Sequence, residues 1–387
     1  MNTFKSNQDL QQSTGSTHLT SLDSLRALAA LYVLCHHAFQ QAGLEGDRLP
    51  SVLQVFIKLF SYGHYAVDLF IVLSGFCLML PVIRNGGKLR ENYKQFCIKR
   101  AKRILPSYYF AMGLSLLLIF TCIGQQTGNS WDLSLPVNSK DIILHVLLIH
   151  DLLQDACLKI NSAFWSISVE WRIYFIFPLL VTGYRLWGGI KTTLIATGVG
   201  YIAFLLIAKV SFLNSNPIGP CPHYLGLFAM GMLAADITFN DTSFNLHLRS
   251  LPWTSLSFVF ILLALPAYNL FLGGSQSWVI SDLLVGVACM AMLVFTTLNH
   301  NHPVNKILGW KPLAKIGVFS YSLYLIHVPL LQVFIQYYLI PLKLNPVSEI
   351  LILLGVALPM ITGLAYFFFL IFEKPFMAKR VKKVEII

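Results

Sequence analysis

Apolar blocks long enough to cross a bilayer recur from residue 25 to residue 372, with no polar domain between them. Crossing the hydrocarbon layer takes about 20 mostly apolar residues as a helix, because each backbone polar group must find its partner within the segment. Ten stretches meet or approach that length: 22–40, 64–83, 104–124, 165–183, 189–209, 222–239, 253–272, 278–298, 313–334 and 347–372. Composition agrees, since 12% of the chain is charged and 56% apolar, where a soluble domain carries about 25% charged residues. The predicted fold is all-α: one polytopic membrane domain over residues 21–373, with about ten transmembrane helices. Residues 1–20 are rich in Ser, Thr, Gln and Asn and lack the apolar core of a signal peptide, so a short disordered tail is expected there. The apolar block from Asp141 to Leu153 is too short to span and is expected at the surface, as an interfacial or re-entrant helix.

With ten spans both termini share a side, and alternate loops then divide the basic residues unequally. Of 28 Lys and Arg, 20 fall on the side of the termini and 6 on the other, with Arg26 and Arg172 inside spans. The positive-inside rule therefore sets both termini in the cytoplasm, together with the basic loop 84–103 and the basic tail 374–387, and leaves segment 125–164 outside. The net charge of +11, which in a soluble protein would raise nucleic acid as a partner, is here an orientation signal. Seven cysteines are scattered without a CxxC pair, so neither a disulfide framework nor a metal site is expected.

Ionisable side chains inside spans are functional candidates by default. Arg26 and His37 are eleven residues apart, which brings them to nearly one helix face about 16 Å apart along the axis. Asp68 lies less than two turns inside the next span and is expected to pair with His37, since a carboxylate holds an imidazole in one tautomer. Arg100 and Arg103 share one side of a helical turn, and two guanidinium forks suit phosphate; anionic lipid or positive-inside charge explains the composition equally well. Glu170 and Tyr174 are one turn apart where the long outer segment re-enters the membrane, and with Trp165 and Ser168 they suit a hydroxyl-rich ligand. Tyr324 and His327 put further polar groups into the ninth stretch, whereas the loop pair His300 and His302 is read as solvated. Ser74 and Gly75 are small residues that permit close helix approach.

These stretches, taken in order, carry a resemblance. The chain resembles acyltransferase family 3, polytopic membrane acyltransferases that modify sugars and related acceptors. The matching residues are Leu22-Asp-Ser-Leu-Arg26 through His37, Val67-Asp68-Leu-Phe with Leu-Ser74-Gly75-Phe76, Arg100-x-x-Arg103-Ile-Leu-Pro106, Trp165-Ser-Ile-Ser-Val-Glu170 with Tyr174, Ser320-Tyr-Ser-Leu-Tyr324-Leu-Ile-His327, and Glu373-Lys-Pro375. The resemblance implies acetyl-CoA as acyl donor and a hydroxyl of a cell-envelope glycan as acceptor, at the inner membrane. It also implies a stand-alone version of a family in which some members carry an extra extracytoplasmic domain.

Topology and resemblance combine into an expected mechanism. Arg100 and Arg103 hold the nucleotide phosphates, the pantetheine arm passes Arg26, and the thioester reaches His37, which acts as general base on the acceptor hydroxyl. Asp68 and Glu170 support the reaction, with Trp165, Ser168, Tyr174, Tyr324 and His327 as substrate contacts. Transfer of acetyl to His37 first is the alternative. O-antigen, exopolysaccharide, peptidoglycan and smaller glycolipids all remain open as acceptors. The rival from another class is a transporter or flippase with Arg26, His37, Asp68 and Glu170 as a proton relay, but the paired repeats usual in such proteins are not seen.

Overall fold

The computed structural model describes residues 7–44, 49–210, 213, 218–270 and 277–377. Every regular element among them is helical. The helices that matter here are α1 (Asn7–Gln41), α2 (Gly63–Arg84), α3 (Tyr93–Leu118), α4 (Ser139–Val146), α5 (Trp165–Trp187), α6 (Gly189–Ile207), α7 (Tyr224–Phe239), α8 (Trp253–Leu270), α9 (Ser277–Leu298) and α10 (Ser320–Phe334). The last, α11, runs over Pro346–Phe376. Residues 7–20, expected as a tail, continue α1 toward the N-terminus; once a span is helical, each added residue fixes one more hydrogen bond at small entropic cost.

Among the described residues six helical segments are long and apolar enough to cross a membrane: Ser51–Arg84, Tyr93–Ile123, Gly189–Ile207, Trp278–Leu298, Ser320–Leu342 and Pro346–Phe376. A seventh results if Ser243–Arg249 and Trp253–Ala267, bent by 67°, form one span. All ten predicted stretches coincide with helices, but α1, α5 and α7 stand outside the six. Helix α7 has only 16 residues, and α1 and α5 hold Arg26, His36, His37, Glu170 and Arg172. The helices that bear the polar residues thus fall short of a purely apolar standard.

Small residues set the closest crossing. A Cβ on Gly75 would sit 2.0 Å from the Phe228 carbonyl oxygen, and one on Gly231 would sit 1.9 Å from that of Val72. Backbones of α2 and α7 therefore touch directly, as glycine allows between membrane helices.

Segment 125–164 differs from expectation. The Tyr108 and Tyr109 hydroxyls, midway along α3, donate to the carbonyls of His145 (3.1 Å) and Val146 (2.8 Å). Asn161 Nδ2 donates to the Leu325 carbonyl at 2.9 Å, and the Phe164 ring packs 4.9 Å from that of Tyr108. The chain after α3 thus folds back along α3 and α10, and α4 lies on α3 with Asp141 and His145 buried and Ile143 and Val146 exposed. Buried polar groups in this segment explain the depth, because they find partners there: Asp151 is fully buried and forks onto Arg172, and Trp131 Nε1 donates to the Ile123 carbonyl at 2.9 Å. One consequence decides the site. Helix α5 begins at the level of mid-α3 and mid-α10.

Candidate active site

Because α5 starts deep, its second turn reaches the basic end of α3. Glu170 lies within electrostatic range of Arg100, and so does Tyr174. Tyr174 is also within range of Arg26. The Tyr174 hydroxyl donates to Glu170 Oε1 at 2.5 Å and meets Ser74 Oγ at 2.9 Å, which ties α5 to α2. Arg26 donates to Asp23 Oδ1 and to Cys77 Sγ, each at 3.0 Å. Two guanidinium groups and one carboxylate therefore converge on a single tyrosine.

From there polar groups continue into the bundle. Tyr324 is within range of Glu170, its hydroxyl is 2.7 Å from Ser166 Oγ, and its ring is 5.7 Å from that of His327. The Tyr324 carbonyl lies 2.7 Å from His327 Nδ1, which orients the imidazole. The His327 and His37 rings are 5.1 Å apart, and His37 meets His36 at 4.9 Å. Gln40, one turn further along α1, is a neighbour of His37 on the helix surface. The result is a polar column through apolar surroundings, with Arg26 and Arg100 at one end and His37 at the other. The Arg100 Nε atom is buried and finds no protein acceptor, while its guanidinium lies 5.8 Å over the Phe96 ring. An orphaned cationic donor of this kind fits an anionic ligand group.

Of the residues singled out by sequence, the structure brings together Arg26, Arg100, Glu170, Tyr174, Tyr324, His327 and His37. Arg103 lies beside them, within range of Arg100 and of Glu373, the latter bonded to Ser322 Oγ at 2.5 Å. Four residues depart from expectation. Asp68 does not pair with His37: it faces Asp282 and Tyr224, because the first turn of α2 turns toward α7 and α9. Ser168 Oγ points at His150 Nδ1, 3.2 Å away, and so belongs to the folded-back segment. Trp165 packs 6.1 Å from the Tyr224 ring, on the α7 side of the column. Glu170, expected near the acceptor, instead stands beside Arg100 because α5 begins below the surface.

Sequence reasoning missed Gln40 and Asp282. Gln40 carries no signal of its own, but Asp282 is a carboxylate inside an apolar stretch and could have been found by the argument used for Asp68. In the folded-back segment, His145 and His150 stack with rings 3.7 Å apart. Burial pushes His145 down to about 4 and His150 well below its ordinary value, the latter aided by its imidazole neighbour.

Comparison with known proteins identifies the family. The acyltransferase-domain model of family 3 matches residues 19–369. The peptidoglycan O-acetyltransferase OatA of Listeria monocytogenes is 23% identical over 328 residues, covering 81% of this chain and 49% of its own length. The O-acetyltransferase OatA of Staphylococcus aureus (strain NCTC 8325 / PS 47) is 23% identical over 349 residues, covering 85% of this chain and 53% of its own. The chain thus spans about half the length of these curated relatives. No solved structure matches. With the match running from the start of the first apolar stretch to the end of the last, the chain belongs to acyltransferase family 3.

Proposed function

We propose that this protein is a multi-pass membrane O-acetyltransferase that moves an acetyl group from acetyl-CoA to a hydroxyl of a cell-envelope glycan. The observation that carries the reading is the polar column from Arg26 and Arg100 to His37. Its cationic end, with the unpartnered Arg100 Nε, suits the phosphates of a nucleotide-bearing thioester. The basic loop 84–103 adjoins that end, and the positive-inside rule assigns it to the cytoplasm, where CoA esters are found.

Arg26, Arg100 and Arg103 bind the donor phosphates. Tyr174, Glu170 and Ser74 line its arm and hold Arg100 in place, and Tyr324 with His327 flank the thioester. His37 takes the proton of the acceptor hydroxyl, and the alkoxide oxygen attacks the thioester carbonyl. The carbon–sulfur bond then breaks and CoA leaves as thiolate. The name of the Listeria relative, a peptidoglycan O-acetyltransferase, supports peptidoglycan as acceptor, with O-antigen or exopolysaccharide as further cases.

Labelled acetyl-CoA supplied to membranes from cells with and without the gene tests the proposal. Label in a glycan fraction only when the gene is present is the expected result; label that enters vesicles without covalent transfer would make the protein a transporter.

A further inference from the structure

Asp68 is fully buried, and neither of its carboxylate oxygens has a partner at ordinary hydrogen-bonding geometry. The carboxyl of Asp282, on α9 and 2% exposed, stands opposite it, with the Tyr224 hydroxyl alongside. Asp282 Oδ2 is 2.9 Å from His223 Nε2, and its Oδ1 is 3.5 Å from His64 Nε2. Trp278 stacks on His64 at 4.5 Å and closes the cluster on the α9 side. The other titratable groups in range are Tyr65 from α2, Tyr201 from α6, Cys221 before α7 and Cys289 from α9. Among the described residues no lysine or arginine is in range of either carboxyl. Two carboxyls side by side in so dry a setting repel one another when both are charged, and Asp282 touches two imidazoles.

The cluster connects to the reacting end of the column. The His36 ring lies directly on the Gly63 backbone, so closely that a Cβ there would be 2.3 Å from His36 Cδ2, and its Nδ1 is 2.8 Å from the Phe60 carbonyl. His64 is the next residue and is within electrostatic range of His36, whose ring lies 4.9 Å from His37. Imidazoles therefore run from His37 through His36 and His64 to Asp282.

We propose that the Asp68–Asp282 pair takes up the proton that His37 removes from the acceptor hydroxyl, by way of His36 and His64. The inference rests on the acetyl-transfer reading and adds the fate of that proton. The acceptor O–H bond breaks, its oxygen bonds to the acetyl carbon, and its proton goes to His37. The carbon–sulfur bond breaks, and the CoA thiolate leaves with the electron pair and is protonated by solvent. His37 passes its proton to the carboxyl pair, which returns it to water. In the competing course His37 gives the proton straight to the thiolate, and the pair has no part in turnover.

The test is labelled acetyl transfer from acetyl-CoA to endogenous glycan in membranes carrying wild type, Asp68→Asn, Asp282→Asn or His64→Gln, followed from about pH 5 to 9. Each variant is expected to lose roughly tenfold or more of kcat at the acidic end, to recover toward wild type as pH rises and to regain rate with added imidazole, at unchanged KM for acetyl-CoA. Wild-type pH profiles, or a loss equal at every pH, overturn the proposal. His64→Gln keeps both carboxyls and decides the matter where the Asn variants do not accumulate. Absence of transfer by wild type would instead defeat the acetyl-transfer reading itself.

Discussion

The imidazole of His37 packs against that of His327, ring centroids 5.1 Å apart, and not against Asp68. Two helices distant in sequence, α1 and α10, thus supply the groups at the far end of the column. Replacing His37 by Ala should remove general-base catalysis, a loss of about 10² to 10⁴ in rate at normal protein level. His327→Gln keeps a polar ring-sized group beside His37 and should cost only about tenfold, read as initial rates of acetyl transfer.

Tyr174 is the hinge of the donor end. Tyr174→Phe keeps the ring but deletes the hydroxyl that bonds Glu170 and Ser74. A hydrogen bond to a charged group is worth about 1.5–3 kcal/mol, so KM for acetyl-CoA should rise by roughly one to two decades with a smaller effect on kcat. An equal fall in both parameters would move Tyr174 to the reacting centre.

Arg100→Lys keeps the charge but loses the planar fork and the contact with Phe96. It should raise KM for acetyl-CoA nearly as much as Arg100→Ala does. Full rescue by lysine would mean that the site needs only a positive charge there.

Much of this was legible in the chain. Spacing alone put Arg26 and His37 on one face of α1, and the intramembrane carboxylates marked α2 and α5 as functional. What sequence could not convey was depth. Nothing in the apolar pattern of residues 139–164 says that Tyr108 and Tyr109 will accept α4 at their level, nor that Asn161 will reach the Leu325 carbonyl. That fold-back moves Glu170 from the predicted acceptor side to the side of Arg100. The choice of Asp282 over His37 as the neighbour of Asp68 depends likewise on how α2 rotates against α7, which the glycine contacts fix and no residue count does.

Those glycine contacts give a stability prediction. With the Phe228 carbonyl 2.0 Å from where a Cβ would stand, Gly75→Ala must push α2 and α7 apart. Overpacking of this kind costs about 1–3 kcal/mol or more. The thermal midpoint of the detergent-solubilised protein should fall, while Gly113→Ala, which meets open space, leaves it in place.

Stability should also fall on acidification. Burial lowers His145 from 6.5 to about 4 in the folded protein, so below pH 6.5 the unfolded chain binds the proton first. This contribution is complete above about 6.5 and shrinks as pH drops toward 4, with His150 acting in the same direction. Thermal midpoints of wild type and of the His145→Gln, His150→Gln double variant, measured across that window, should show a shallower slope for the variant.

Donor binding and proton abstraction sit at opposite ends of one column. Purified His37→Ala, assayed side by side for acetyl-CoA binding and for acetyl transfer, should keep wild-type affinity for acetyl-CoA and lose transfer; transfer retained, or affinity lost together with it, would show that the two ends are not separate.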